Sequence, residues 1–185
     1  MSSNDIFLIN YRHPNCEPLK SITQLPEKEA FVLAKKLYLE SPCRANNRFG
    51  SGFAEYYKHR IEMEQWLYDK FTALGGNPQI KNPFYFTLQH SQSLYENFDK
   101  GEIIKIKLQD IDDTDISFTF NDSMAKFYSS DWEEPFLKSR LYDLISANEN
   151  SFDKFLCTIQ PRYHYIEAQL WTDKYFNLKN KQGRL

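Results

Sequence analysis

The chain has 185 residues, 41% of them hydrophobic and 26% charged, which suits one globular domain with a sizeable core and argues against disorder. The formal net charge is −2, so nucleic acid is not indicated by a basic excess. No apolar run approaches the roughly twenty residues that cross a bilayer, so no membrane association is expected.

Three cysteines, Cys16, Cys43 and Cys157, are far apart and odd in number. That pattern predicts free thiols in a reducing compartment rather than a disulfide framework. The stretch "MSSNDIFLIN" has no charged leader segment, so no signal peptide is expected and the predicted location is cytoplasmic.

In chain order, "DIFLINY" predicts a short strand, and the two prolines of "RHPNCEPL" predict a loop after it. "LPEKEAFVLAKKLYLESP" predicts a helix, with Glu27 and Glu29 in its first turn. The polar loop "CRANNRFGSG" carries two arginines. A long amphipathic helix follows over 53–74, stopped by Gly75 and Gly76. "PFYFTL" predicts a strand rich in aromatics, and "EIIKIKL" and "DISFTF" predict two more by alternation. "NDSMAKFYSSDWEE" reads as a loop. "PFLKSRLYDLISA" and "SFDKFLCTIQ" read as two modest helices, and "RYHYIEAQLW" as a closing strand. Helices gather in the first half and strands in the second. That order predicts an α+β fold, a single domain over 1–185 whose mostly antiparallel sheet is flanked by helices.

The long helix holds a contradiction. At about 100° per residue, with Phe53 and Phe71 at the centre of the apolar stripe, Arg60 and Glu64 fall within about 20° of it. They stand one turn apart and can pair. One reading is a structural ion pair. The other is a cleft floor where a phosphate meets the hydrogen bonds of Arg60.

The closing strand offers a second candidate. Alternation places Tyr163, Tyr165, Glu167, Gln169 and Trp171 on one face. This is either the solvent side of a half-exposed sheet or a cleft wall on which Glu167 acts as acid, base or charge stabiliser. Arg12 and His13 end the first strand, where they can enter a pocket. With Cys16 they are too few and too widely spaced for zinc, and no metal is expected. Asn121, Asp122 and Ser123 follow a strand and form either a plain turn or a polar rim to the cleft. The chain contains no glycine-rich phosphate loop and no nucleophile elbow.

Taken together, "RHPNCEPL", the "R…E.WLY…GG.P" helix, "YFTL", "ISFTFNDSM" and "YIEAQLW" resemble a family of uncharacterised bacterial proteins of similar length, over nearly the whole chain. The order of parts also resembles the ADP-ribosyltransferase-like fold, especially the DarT-type toxins. In that resemblance Arg12 or His13 takes the nicotinamide-binding place. Tyr85 and Phe86 match the "YF" strand, Asn121 and Asp122 the turn, and Glu167 the catalytic glutamate. The His-x-Thr start of that family is absent, and Gln169 stands where an E-x-E pair would need glutamate.

The resemblance implies NAD as substrate. Glu167 would stabilise positive charge on the ribose, Arg12 or Arg60 would hold pyrophosphate, and Tyr85 or Tyr165 would stack on nicotinamide. The ligand-binding set is then Arg12, His13, Arg60, Glu64, Tyr85, Asn121, Tyr165 and Gln169, around a small-molecule nucleotide. The competing class is a non-enzymatic immunity or accessory module that binds a protein partner through its aromatic-rich face.

Overall fold

The computed structural model describes residues 5–40, 48–130 and 132–176, so Cys43 lies outside the described residues. Its centre is a six-stranded sheet in which every neighbouring pair of strands runs antiparallel. The strands are β1 (Phe7–Arg12), β2 (Phe84–Leu88), β3 (Glu102–Lys107), β4 (Ile116–Phe120), β5 (Phe136–Leu137) and β6 (Ile166–Leu170), arranged in the order β3-β1-β2-β6-β4-β5. The helices are α1 (Glu27–Glu40), α2 (Phe53–Ala73), α3 (Gln92–Asn97), α4 (Ala125–Tyr128), α5 (Lys138–Ser146) and α6 (Phe152–Ile159). The α+β, single-domain, mostly antiparallel expectation holds. Among the described residues no helix is long and apolar enough to cross a membrane.

Each face of the sheet meets its own core. On one, Ile166, Ala168 and Leu170 of β6 join Ile116 and Phe118 of β4, Phe86 of β2, Leu141 and Ile145 of α5 and Phe155 of α6. On the other, α2 lays Met63, Leu67 and Phe71 against Trp171 and Met124. β6 is therefore covered on both sides, and all five of its residues are buried. This overturns the reading of its Glu167 face as a solvent-facing side. An inner strand has no solvent side once helices cover both faces.

α2 stops as the double glycine predicts. Gly75 adopts φ 95°, and its N–H donates to the Thr72 carbonyl. The Gly76 N–H donates to the Phe71 carbonyl at 2.9 Å, which completes a Schellman motif. A Cβ on Gly76 would stand 2.3 Å from the Phe71 ring, so the stop and the core share one constraint. α1 docks beside α2 through Ala30 and Ala34 against Phe53.

Three local expectations need correction. The segment beginning at Phe136 opens as a strand, because Phe136 and Leu137 pair with Phe118 and Ser117 before α5 starts. Residues 162–165 are not strand: the Arg162 and Tyr163 N–H groups both donate to the Ile159 carbonyl and close α6. Tyr163 consequently stacks on Phe120 at 4.6 Å, away from the face that alternation assigned to it. The loop read over 121–134 contains α4, and the unassigned stretch after β2 contains α3, with Ser91 Oγ accepting from the Leu94 N–H as its N-cap.

Candidate functional site

Glu167 lies at the centre of the α2-facing side of the sheet. Antiparallel register sets it between Thr87 of β2 and Thr119 of β4, with Tyr85, Gln169 and Ser117 in the adjoining row. Above this patch α2 brings Arg60 and Glu64, exposed by 7% and 1%. The wheel thus placed both charges on the buried stripe correctly, and they do pair: Arg60 Nε donates to Glu64 Oε1 at 3.2 Å.

Glu64 is satisfied from several directions. Its Oε1 also accepts from Thr23 Oγ1 at 2.8 Å and from the Tyr85 hydroxyl at 3.1 Å, and its Oε2 accepts from Asn82 Nδ2 at 2.5 Å. With four donors, this carboxylate has its hydrogen bonds met without any ligand. Arg60 is held less completely. Its guanidinium lies 3.7 Å from the Tyr85 ring centroid, and its Nη1 stands 3.8 Å from Asp122 Oδ1. Burial opposes its charge, but the neighbouring carboxyls of Glu64 and Glu167 favour it, and Arg60 stays a cation.

A cavity of about 500 Å³ opens over this floor, within the size range of small-molecule sites. Arg12, His13, Arg60, Tyr85, Tyr165 and Glu167 all line it, although they come from four separate stretches of the chain. Three other candidates sit behind the lining. Glu64 anchors Arg60. Gln169 is fully buried and donates to Glu167 Oε1 at 3.0 Å. Asn121, with φ 58°, accepts from the His164 N–H through its side-chain carbonyl at 2.7 Å and shapes the turn. These three support the cavity wall rather than forming it.

The lining residues are not equally available. Arg12 Nη1 donates to the Cys16 carbonyl at 3.0 Å and Nη2 pairs with Glu102, so this arginine ties its own loop and the edge strand. Gly101 allows that closeness, since a Cβ there would meet the Arg12 carbonyl oxygen at 2.0 Å. His13 Nδ1 accepts from the Asn15 N–H at 3.2 Å. Burial pushes the Cys16 thiol up, with Arg12 opposing it, and a thiol held that way is a poor nucleophile. Burial, reinforced by Asp122 and Glu167, also pushes up the Tyr165 phenol, which stays neutral.

Glu167 has its acidity altered by the site. Burial and then the charge of Asp122 push its carboxyl up to about 7, against Arg60 and the hydrogen bonds from the Ser123 N–H and Gln169. A carboxyl that changes charge near neutral pH in a lined cavity suits acid, base or charge-stabilising work.

Arg48, Tyr56 and Thr87 are among the lining residues that sequence reasoning missed. Tyr56 lies one turn before Arg60 and was within reach of the same wheel. Arg48 was not, because a loop has no period. Its guanidinium lies 4.9 Å from the Phe49 ring centroid and 5.5 Å from that of Tyr56, and its buried Nε has no hydrogen-bond partner among the described residues. Among the described residues no group of three or more His, Cys, Asp or Glu side chains is placed to hold a metal. Comparison with protein-family models, curated proteins and solved structures gives no match to this chain.

Proposed function

We propose that the protein is an enzyme of the ADP-ribosyltransferase-like class, which binds NAD in this cavity and cleaves the bond between nicotinamide and ribose. The observation that supports this best is the convergence of Glu167 and Arg60 on one cavity floor, beside Tyr165 and Arg48. As the glycosidic C–N bond breaks, its electron pair leaves with the nicotinamide nitrogen, and positive charge develops on the ribose. Glu167, ionised by the cationic pyridinium beside it, stabilises that charge. Water or an acceptor hydroxyl then adds to the ribose carbon and loses its proton.

The geometry narrows the roles. One face of the Tyr85 ring is covered by Arg60, and its hydroxyl is given to Glu64. Tyr165 is therefore the ring for nicotinamide. Arg12 is occupied by Cys16 and Glu102, which leaves Arg60 and Arg48 for pyrophosphate.

Calorimetry with NAD, together with an assay for released nicotinamide, tests the reading. Binding heat and hydrolysis by the wild type, with binding kept and hydrolysis lost in Glu167→Gln, is the expected result. Neither heat nor hydrolysis at millimolar NAD would overturn it. The second reading, a protein-interaction module, is favoured by outward-facing Phe31, Val32 and Leu39 on α1, and a null NAD result would leave it standing.

A further inference from the structure

The polar row beneath α2 has a direction. The Trp171 indole can only donate, and Nε1 gives its hydrogen to Ser117 Oγ at 2.9 Å. Ser117 in turn donates its single hydrogen to Gln169 Oε1 at 2.9 Å. With the Ser117 hydrogen on that side, the facing end of the Gln169 amide is its oxygen. Both Nε2 hydrogens point the other way, one to Thr119 Oγ1 and one to Glu167 Oε1, each at 3.0 Å. The Ser123 N–H reaches the same Oε1 at 3.3 Å. Among the described residues both hydrogen bonds to Glu167 fall on Oε1.

We infer that Gln169 is a positioning residue of the cavity: the one-way chain Trp171→Ser117→Gln169 locks Glu167 Oε1 as an acceptor and leaves Oε2 as the oxygen that holds the proton and meets the ligand. An oxygen that faces two N–H donors has little room for a hydrogen of its own. Gln169 and Ser117 are fully buried, and neither lines the cavity, so they act on a ligand only through Glu167. The other titratable groups facing Glu167 are Arg60 from α2, Tyr85 from β2, Asp122 from the β4–α4 turn and Tyr165 just before its own strand. None of them belongs to the chain that orients the amide. The inference rests on Glu167 being the chemical centre of the cavity, as the proposed function has it.

The test is titration of Glu167 by NMR in protein carrying carbon-13 at its glutamate carboxyls, without ligand. Gln169→Met keeps the volume and removes the donor. The Glu167 midpoint should then rise by about one pH unit or more, since a hydrogen bond to the charged form is lost. Ser117→Ala keeps Gln169 but frees its amide to turn, and should raise the midpoint by less. Ser117→Thr restores the hydroxyl and should return it to the wild-type value. An unmoved or lowered midpoint in folded Gln169→Met overturns the inference. If that variant does not fold, an unmoved or lowered midpoint in Ser117→Ala does so alone. No ligand enters the measurement, so a failure of this chain and a failure of NAD binding are separate results.

Discussion

The two faces of β6 solve the same burial problem in opposite ways. Ile166, Ala168 and Leu170 enter a dry core with Phe118, Leu141 and Phe155, where any side chain of suitable size and apolar character contributes. Glu167 and Gln169 are also buried on the reverse face, yet each depends on named donors and acceptors. A dry face is tolerant because dispersion and burial have no direction. A polar face is exacting because a lost partner leaves a desolvated group behind. Glu167, on the exacting face, is the β6 residue that lines the cavity.

The sharpest way to break this comparison is Glu167→Gln. Gln can still accept from the Ser123 N–H and Gln169, so the fold should survive. Nicotinamide release should fall by about a thousandfold if Glu167 carries the developing charge, and a rate assay on folded protein reads this directly. Phe118→Ala on the dry face should cost about 3–5 kcal/mol in urea unfolding and leave the NAD dissociation constant unchanged. Loss of NAD affinity there would mean the faces are not independent.

Arg60→Ala should do both kinds of damage. It removes the cation beside Glu64 and Glu167, and should destabilise by about 3 kcal/mol or more while weakening NAD binding. A denaturant midpoint equal to wild type would show that the pair carries nothing.

The pH dependence sharpens the contrast further. The Glu167 carboxyl sits at about 7 in the folded protein against an ordinary 4.5. Its contribution to stability is fully present below pH 4.5 and is lost as pH rises through 7, because the unfolded chain gives up its proton first. Relative to Glu167→Gln, the wild type should therefore lose up to about 3 kcal/mol across that window. Urea midpoints of both proteins at pH 4.5 and pH 8 test the sign. The smallest effect belongs to the helix stop, remote from either contrast. Gly75→Ala at φ 95° should cost about 1 kcal/mol by thermal unfolding and change no ligand constant.

Much of the frame was legible because it rests on local rules. An apolar run marked β1, an aromatic-rich one β2, period-2 runs β3, β4 and the core of β6, helical patterning α1 and α2, and Gly75-Gly76 the stop. The α2 wheel also placed Arg60 and Glu64 inside, since angle around a helix depends on spacing alone. Short elements escaped. α3 and α4 span six and four residues, too few for a period to register, and β5 is a strand only because β4 offers it a partner.

What the tertiary structure decided was which polar groups meet. Alternation put Glu167 and Gln169 on one face but could not tell an outer face from an inner one, because that depends on α2 crossing above. Residue types named Arg12 and Arg60 alike as phosphate partners. Only the fold, by pairing Arg12 with Glu102 and the Cys16 carbonyl, made them different. Arg48 had no signal at all, since a loop residue reaches a cavity through the path of its backbone and not through any spacing in the chain. Local sequence set each segment's shape and its buried side. Long-range pairing, in which Glu167 meets Thr87, Thr119, Ser123 and Arg60, set what that buried side can do.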